Sequence, residues 1–263
     1  VWVCRLRVGC GKGGCMKRIV LLLAAMLCLP QGAAAQSQIG QDIDGEAADD
    51  LSGKSVSLSA DGNRMAIGAE GNDGSGGESG HVRIYELSGN TWIQLGQDID
   101  GEAAGDYSGY SVSLSSDGNR VAIGAIYNDG NGSGAGHVRI YELSGNTWIQ
   151  LGQDIDGGPD PETGKSVSLS ADGNRVAIGD TGTGDGTDID DWRDDVWDSG
   201  HVRIYELSGN TWIQLGQDID GETAYDDSGW SVSLSADGNR VAIGAHLNDG
   251  NGSDAGQDRK SVG

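Results

Sequence analysis

Polar and apolar residues alternate along this chain in short runs, and none of the runs holds a helical period. Four patterns follow one another and then start again: SVSLS, RVAIGA, HVRIYEL and TWIQL. Val, Ile, Tyr and Trp at near-alternate positions predict pleated strands. Asp-Gly joins the first two runs, at Asp61–Gly62, Asp117–Gly118, Asp172–Gly173 and Asp237–Gly238. That pair tolerates the positive φ of a tight hairpin turn. Ser-Gly-Asn joins HVRIYEL to TWIQL, as at Ser88–Asn90, and predicts a second hairpin. Each unit is therefore an antiparallel meander of strands A to D, with short A–B and C–D turns and long B–C and D–A connections.

The pattern is a repeat. HVRIYELSGNTWIQLGQDIDG runs from His81 to Gly101 and recurs unchanged from His137 to Gly157 and from His201 to Gly221. SVSLS starts at Ser55, Ser111, Ser166 and Ser231, so the units are 56, 55 and 65 residues long. Strand C of the second unit points Val138 and Ile140 one way and Tyr141 and Leu143 the other. A sheet that is apolar on both faces needs a neighbour on each. Four short strands per repeat of about 55 residues predict an all-β fold of β-propeller blades. About three and a half blades are present between residues 36 and 256, where a closed ring needs roughly 4 to 8. The expectation is an incomplete propeller whose terminal blades expose apolar faces.

The two ends read differently from the repeat. Met16 opens MKRIVLLLAAMLCLPQGAAAQ, with a basic pair, an apolar run from Ile19 to Leu29 and small residues up to Ala35. This predicts a secretory signal peptide over 16–35, cleaved after Ala35, with no membrane insertion afterwards and a secreted or cell-surface location. Residues 1–15 precede the first Met and read as a non-native leader, and 257–263 depart from the repeat and read as an artefactual tail. Cys4, Cys10, Cys15 and Cys28 all precede Ala35, so the chain beyond it offers no disulfide or thiolate chemistry. That remainder carries 12 basic against 40 acidic side chains, a field that repels phosphate backbones and excludes nucleic acid as a partner.

Candidate chemistry lies where the units differ. Geometry gathers the near-constant A–B and C–D turns on one face and the variable B–C and D–A connections on the other. On the variable face the D–A segments end in Lys54, Tyr110, Lys165 and Trp230. The longest B–C connection, from Asp180 to Gly200, offers Trp192 and Trp197 for stacking on a ligand. Asp185, Asp188, Asp190 and Asp191 in the same stretch supply hard oxygens that suit calcium, although their spacing matches no EF-hand loop. His81, His137 and His201 occupy one position in three blades, too far apart to share a metal. They read as packing residues, and His246 as an isolated loop histidine.

SGYSVSLSSDGNRVAIGA followed by GHVRIYELSGNTWIQ resembles the FG-GAP repeat of integrin-α-like propellers, in particular its bacterial secreted variants. The Phe-Gly mark is met by glycine alone, at Gly53, Gly109, Gly164 and Gly229. The Gly-Ala-Pro mark appears as Gly68–Ala69, Gly124–Ala125 and Gly244–Ala245, with Gly179–Asp180 in the third unit. The resemblance implies a propeller of seven blades in the complete protein, used outside the cell for adhesion or ligand binding. Calcium in the A–B loop does not carry over, because that loop has shrunk to Asp-Gly-Asn. WD-repeat propellers are the second resemblance, at a shorter period.

These observations together predict a non-enzymatic binding or adhesion scaffold for an extracellular protein or glycan, with no cofactor unless the acidic loop holds calcium. The alternatives are a purely structural array within a larger surface protein and, more remotely, an extracellular hydrolase. The sialidase-type aspartate box is not met, because SADGNRVA has its glycine one place early and lacks the tryptophan.

Overall fold

The meanders form as the alternation predicts. In a computed structural model that describes residues 37–158, 162–181 and 199–262, the last five by backbone alone, every described element is a β-strand. The first blade holds β1 (Ser55–Leu58), β2 (Arg64–Ala69), β3 (His81–Ser88), β4 (Thr91–Gln94) and β5 (Ile99–Asp100). The second holds β6 (Ser108–Leu114), β7 (Arg120–Ala125), β8 (His137–Ser144), β9 (Thr147–Gln150) and β10 (Ile155–Asp156). In the third are β11 (Ser166–Leu169), β12 (Arg175–Asp180), β13 (His201–Ser208), β14 (Thr211–Gln214) and β15 (Ile219–Asp220). The fourth has β16 (Ser228–Leu234), β17 (Arg240–Ala245) and β18 (Gln257–Val262). Residues Ile39–Gly263 make one compact unit. Among the described residues no helix is long and apolar enough to cross a membrane.

All neighbouring strands within a blade pair antiparallel, in the order A-B-C-D in the first three blades and A-B-C in the fourth. Two details differ from the sequence reading. Strand D is broken: β4 pairs with the far half of β3 and β5 with its near half, Ile99 opposite Val82, and Leu95–Asp98 bulge between them. In addition, Gln257–Val262, set apart as a tail, pairs along all of β17 where strand C stands in the other blades.

Burial shows why each sheet is apolar twice over. Ala66, Val82, Ile84 and Ile99 of the first blade pack against Val112, Leu114, Val121, Ile123, Tyr141 and Trp148 of the second. The opposite face of the second blade, Ala122, Val138, Ile140 and Ile155, meets the matching residues of the third. Ala177 and Val202 then meet Val241 and Ile243 of the fourth. Val138 and Ile140 thus serve one interface and Tyr141 and Leu143 the other, as the alternation requires.

The two glycine marks of the repeat prove to be halves of one contact. A Cβ on Gly68 would lie 2.1 Å from the carbonyl oxygen of Gly109 in the next blade, and one on Gly124 would lie 2.2 Å from that of Gly164. Gly109 and Gly164 also hold φ near +90°, a region that L side chains rarely enter. The backbones of adjacent blades can approach this closely only because both positions lack a side chain.

Each Trp of strand D is fixed by the preceding blade. Trp148 Nε1 donates to the Leu95 carbonyl at 2.8 Å, and its backbone N–H and C=O are held by the Gln97 amide. Trp212 repeats this on Leu151 and Gln153. The indole lies over the glycine between those residues, Gly96 or Gly152, with ring atoms 2.8 Å from a virtual Cβ.

The A–B turns are closed by their own aspartate. Asp61 accepts from the Ser59 hydroxyl at 2.7 Å and from the backbone and side-chain N–H groups of Asn63 at 2.9 Å. The same set recurs at Asp117, Asp172 and Asp237. The donated hydrogen bonds, from the Asn63 backbone first, hold the Asp61 carboxyl down at about 2.

Candidate functional site

The four residues that end the D–A segments form a ladder. Each occupies the position just before SVSL, so one copy is presented by each blade. Lys54 Nζ lies 5.1 Å from the centre of the Tyr110 ring. Lys165 Nζ lies 5.1 Å from the same ring and 4.9 Å from that of Trp230. Cation and aromatic therefore alternate across the blades as Lys–Tyr–Lys–Trp, at distances where ring quadrupoles attract ammonium groups. Lys54 and Lys165 are two of the three lysines beyond residue 35. In so acidic a chain, that concentrates its scarce ammonium groups on one surface.

Carboxylates and tyrosines flank the ladder. Lys54 Nζ pairs with Glu70 at 3.0 Å and Lys165 Nζ with Glu162 at 2.9 Å. The Glu70 hydrogen bond raises the Lys54 pKa. Burial works to lower that of Lys165, but Glu162 and Tyr110 override it and the net direction is upward. Both lysines therefore stay charged at neutral pH. Tyr107 donates to Glu78 at 2.7 Å, which pushes its pKa up to about 12, and its ring meets Tyr127 edge-on at 5.4 Å. Tyr127 donates in turn to Glu162 at 3.2 Å. Beside Trp230, the His246 ring lies 4.3 Å away, and His246 Nδ1 is 3.7 Å from Asp227. His246 is thus not isolated: the D–A segment brings a carboxylate to it. The surface is a half-exposed row of ring edges, ammonium groups and carboxylates. It can pack ring edges against a flat ligand face and donate or accept hydrogen bonds beside it. Among the described residues it shows no nucleophile held against a base.

Of the residues singled out from the sequence, Tyr110 and Trp230 are brought together here, one lysine apart. Trp192, Trp197, Asp185, Asp188, Asp190 and Asp191 lie outside the described residues.

The repeated histidines do more than pack. Among the described residues, Glu46, His81 and Asp98 each bring one ligand atom within 4.8 Å of the others, and Glu102, His137 and Asp154 do the same one blade on. The glutamate comes from the preceding D–A segment and the aspartate from the strand D bulge, so neither neighbourhood is visible as a local motif. A divalent cation could use these atoms. The same glutamates already face Arg83 at 3.5 Å and Arg139 at 3.2 Å, and that ion pairing accounts for them. In the third unit Gly158 stands where Glu102 would, and Asp180 takes over, facing Arg203 at 3.2 Å and His201 at 3.4 Å. This explains why the third unit reads Gly-Asp where the others read Gly-Ala.

Burial first, then the Arg139 charge, lowers the His137 pKa to about 4. A histidine held neutral in the fold binds fewer protons than in the unfolded chain, so it subtracts stability as pH falls through 6.5, and the loss levels off near 4. The turn aspartates act in the same direction at lower pH, because they too bind fewer protons in the fold than in the unfolded chain. Their stabilisation is complete above 3.8 and is lost as pH falls toward the Asp61 value of about 2. Acid denaturation monitored by circular dichroism should therefore weaken the fold in two stages, with His137→Asn removing the first and Asp61→Asn reducing the second. A melting temperature that stays flat from neutrality down to the carboxylate range would contradict the His137 assignment.

Comparison with known proteins bears on the scaffold that carries this ladder. Residues 99–141 and 219–257 match the family described as the FG-GAP repeat. These two segments are FG-GAP repeats. Each FG-GAP match runs from the end of one strand D to strand C of the next blade, so it holds one copy of each glycine mark, Gly109 with Gly124 and Gly229 with Gly244. No curated protein sequence matches the chain. Many solved structures resemble it, and three give the scale of the likeness. Hydrazine synthase of Kuenenia stuttgartiensis is 14% identical with a TM-score of 0.49, covering 73% of this chain and 49% of that one. A candidate 6-phosphogluconolactonase from Bacteroides uniformis is 10% identical with a TM-score of 0.47, covering 79% and 54%. A candidate TolB from Agrobacterium tumefaciens is 14% identical with a TM-score of 0.45, covering 79% and 57%. The chain spans about half the length of these structures.

Proposed function

We propose that this FG-GAP repeat chain is a non-enzymatic binding scaffold, secreted or displayed at the cell surface, that holds an extracellular glycan through the Lys54–Tyr110–Lys165–Trp230 ladder. One observation carries the reading. Residues that pack between blades are held constant, whereas the single position facing outward at the end of each D–A segment is given to a cation or an aromatic, and these four side chains line up in space. Exposed ring edges pack against the apolar face of a sugar, and flanking lysines and carboxylates hydrogen-bond its hydroxyl groups. The signal-peptide pattern before Gln36 supports export. A protein ligand would use the same surface, with Trp230 and Tyr110 as its anchors.

A glycan array probed with the purified chain and with a Tyr110→Ala/Trp230→Ala variant tests this reading. Binding to a defined set of sugars should fall by about tenfold or more in the variant. The melting temperature should change little, because Trp230 is 45% exposed and neither ring belongs to the hydrophobic clusters between the blades. Equal array signals from the two proteins would overturn the proposal.

A further inference from the structure

The strand C histidines of the first two blades, His81 and His137, are each 1% exposed. Nε2 of His81 is buried with no hydrogen-bond partner, and its Nδ1 stands 4.0 Å from Glu46 Oε2, beyond hydrogen-bond reach. Buried polar atoms are nearly always paired, so a ring left in this state points to something taken from outside the chain.

Two carboxylates converge beside each ring. The ligand atoms of Glu102, His137 and Asp154 lie within 4.8 Å of one another, and so do those of Glu46, His81 and Asp98. The arginine pairing uses Oε1 of each glutamate. Gln94 and Gln150 donate to Oδ1 of Asp98 and Asp154, both at 2.5 Å. These bonds orient the carboxylates and leave Oε2 and Oδ2 for a cation, as residues behind metal ligands commonly do. Arginine thus explains the glutamate, but not the convergence of a buried ring and a second carboxylate upon it. Two carboxylates against one guanidinium also leave each cluster net negative. Glu102 belongs to the connection between the first two blades and its partners to the second, so this cluster is internal to the array. The third blade supplies the contrast. It keeps His201 and Asp218 but has Gly158 in place of the glutamate, and there His201 Nε2 faces the buried Asp180 at 3.4 Å.

We propose that Glu102, His137 and Asp154 bind a zinc ion, that Glu46, His81 and Asp98 bind a second, and that the third blade binds none at this position. One imidazole nitrogen with two carboxylate oxygens suits zinc, with water in the fourth place. Calcium takes six to eight oxygens and is poorly served here. To close on zinc, the three atoms must approach to about 3.3 Å, the edge of a tetrahedron with bonds of about 2.0 Å. Glu102 can supply that movement, because its side chain is 47% exposed. The bound ion ties the segment leading out of one blade to strand C and the strand D bulge of the next, a clip across the seam. None of these six residues belongs to the lysine–aromatic ladder, so the proposal is independent of ligand binding there.

The test uses the untagged full chain with Cys4, Cys10, Cys15 and Cys28 changed to serine, so that no thiolate competes for zinc. Long-range nitrogen-15 spectra of the imidazole rings, recorded as zinc chloride is added to chelator-treated protein, read each histidine separately. The His81 and His137 signals should shift at micromolar zinc while those of His201 stay, and calcium chloride at the same concentration should move none of them. Calorimetry should lose one zinc equivalent with Asp98→Asn, one with Asp154→Asn and two with both. Asparagine keeps an oxygen for the glutamine behind it, so circular dichroism should be unchanged in these variants. The melting temperature should rise with zinc in the parent chain, and by less in the double variant. Unchanged His81 and His137 signals at millimolar zinc would overturn the proposal. So would an equal response from His201, or a zinc count that the double substitution leaves as it was.

Discussion

Trp148→Ala is expected to lower stability by about 3–5 kcal/mol, the range for deleting a buried large aromatic. Trp148 is 3% exposed, and it closes the seam between the first and second blades beside Tyr141, Leu95 and Leu143. Three losses coincide. The indole leaves a cavity over Gly96, the Leu95 carbonyl loses its donor, and the Gln97 clamp loses the rigid strand it grips. Trp148→Phe separates the contributions: it keeps most of the burial and forfeits the hydrogen bond, for about 1 kcal/mol. Trp92 supplies the internal comparison. It occupies the same place in the first blade but is only half-buried against Ile39 and Gly40, so Trp92→Ala should cost distinctly less. Urea unfolding followed by tryptophan fluorescence and circular dichroism measures all three variants. A Trp148→Ala change within about 1 kcal/mol of zero would show that the seam does not depend on the indole.

Most of the fold was legible because the repeat states each rule several times. The alternation in HVRIYEL assigns Val138 and Ile140 to one seam and Tyr141 and Leu143 to the other, and the clusters follow that division. Asp-Gly and Ser-Gly-Asn fixed the hairpins, since both are local chemistry. The break in strand D was not legible. TWIQLGQDID has a strand's composition throughout, and the bulge at Leu95–Asp98 arises because Leu95, Gly96 and Gln97 must face the Trp of the next blade. The meeting of the two glycine marks was hidden for a similar reason. Gly68 and Gly109 belong to different units, and a one-dimensional pattern does not say which unit's glycine touches which.

The site was half legible. Tyr110 and Trp230 were visible as departures at one position, and so were Lys54 and Lys165. That a lysine stands between the two rings follows only when the blades are stacked in order. His246 and Asp227 were missed as a pair because they sit on different connections of the fourth unit, 19 positions apart. The Glu46–His81 and Glu102–His137 neighbourhoods were missed because each draws on two blades. Asp180 carried a readable signal: it is an acid gained at the alanine position in the one unit that lost its glutamate.

The central claim is that meanders with two apolar faces stack face to face, each gripping the next through a serine on strand A. Amide hydrogen exchange tests it residue by residue. The N–H groups of Leu114, Leu169 and Leu234 point out of their own sheets to Ser57, Ser113 and Ser168 of the preceding blade. The Leu58 N–H occupies the same place on the exposed face of the first blade, where the described residues supply no such serine. The three inner amides should exchange slower than Leu58 by on the order of 10³-fold or more, because they open only when blades separate. Equal exchange at all four amides, fast or slow, would contradict the stacking from which everything else here is built.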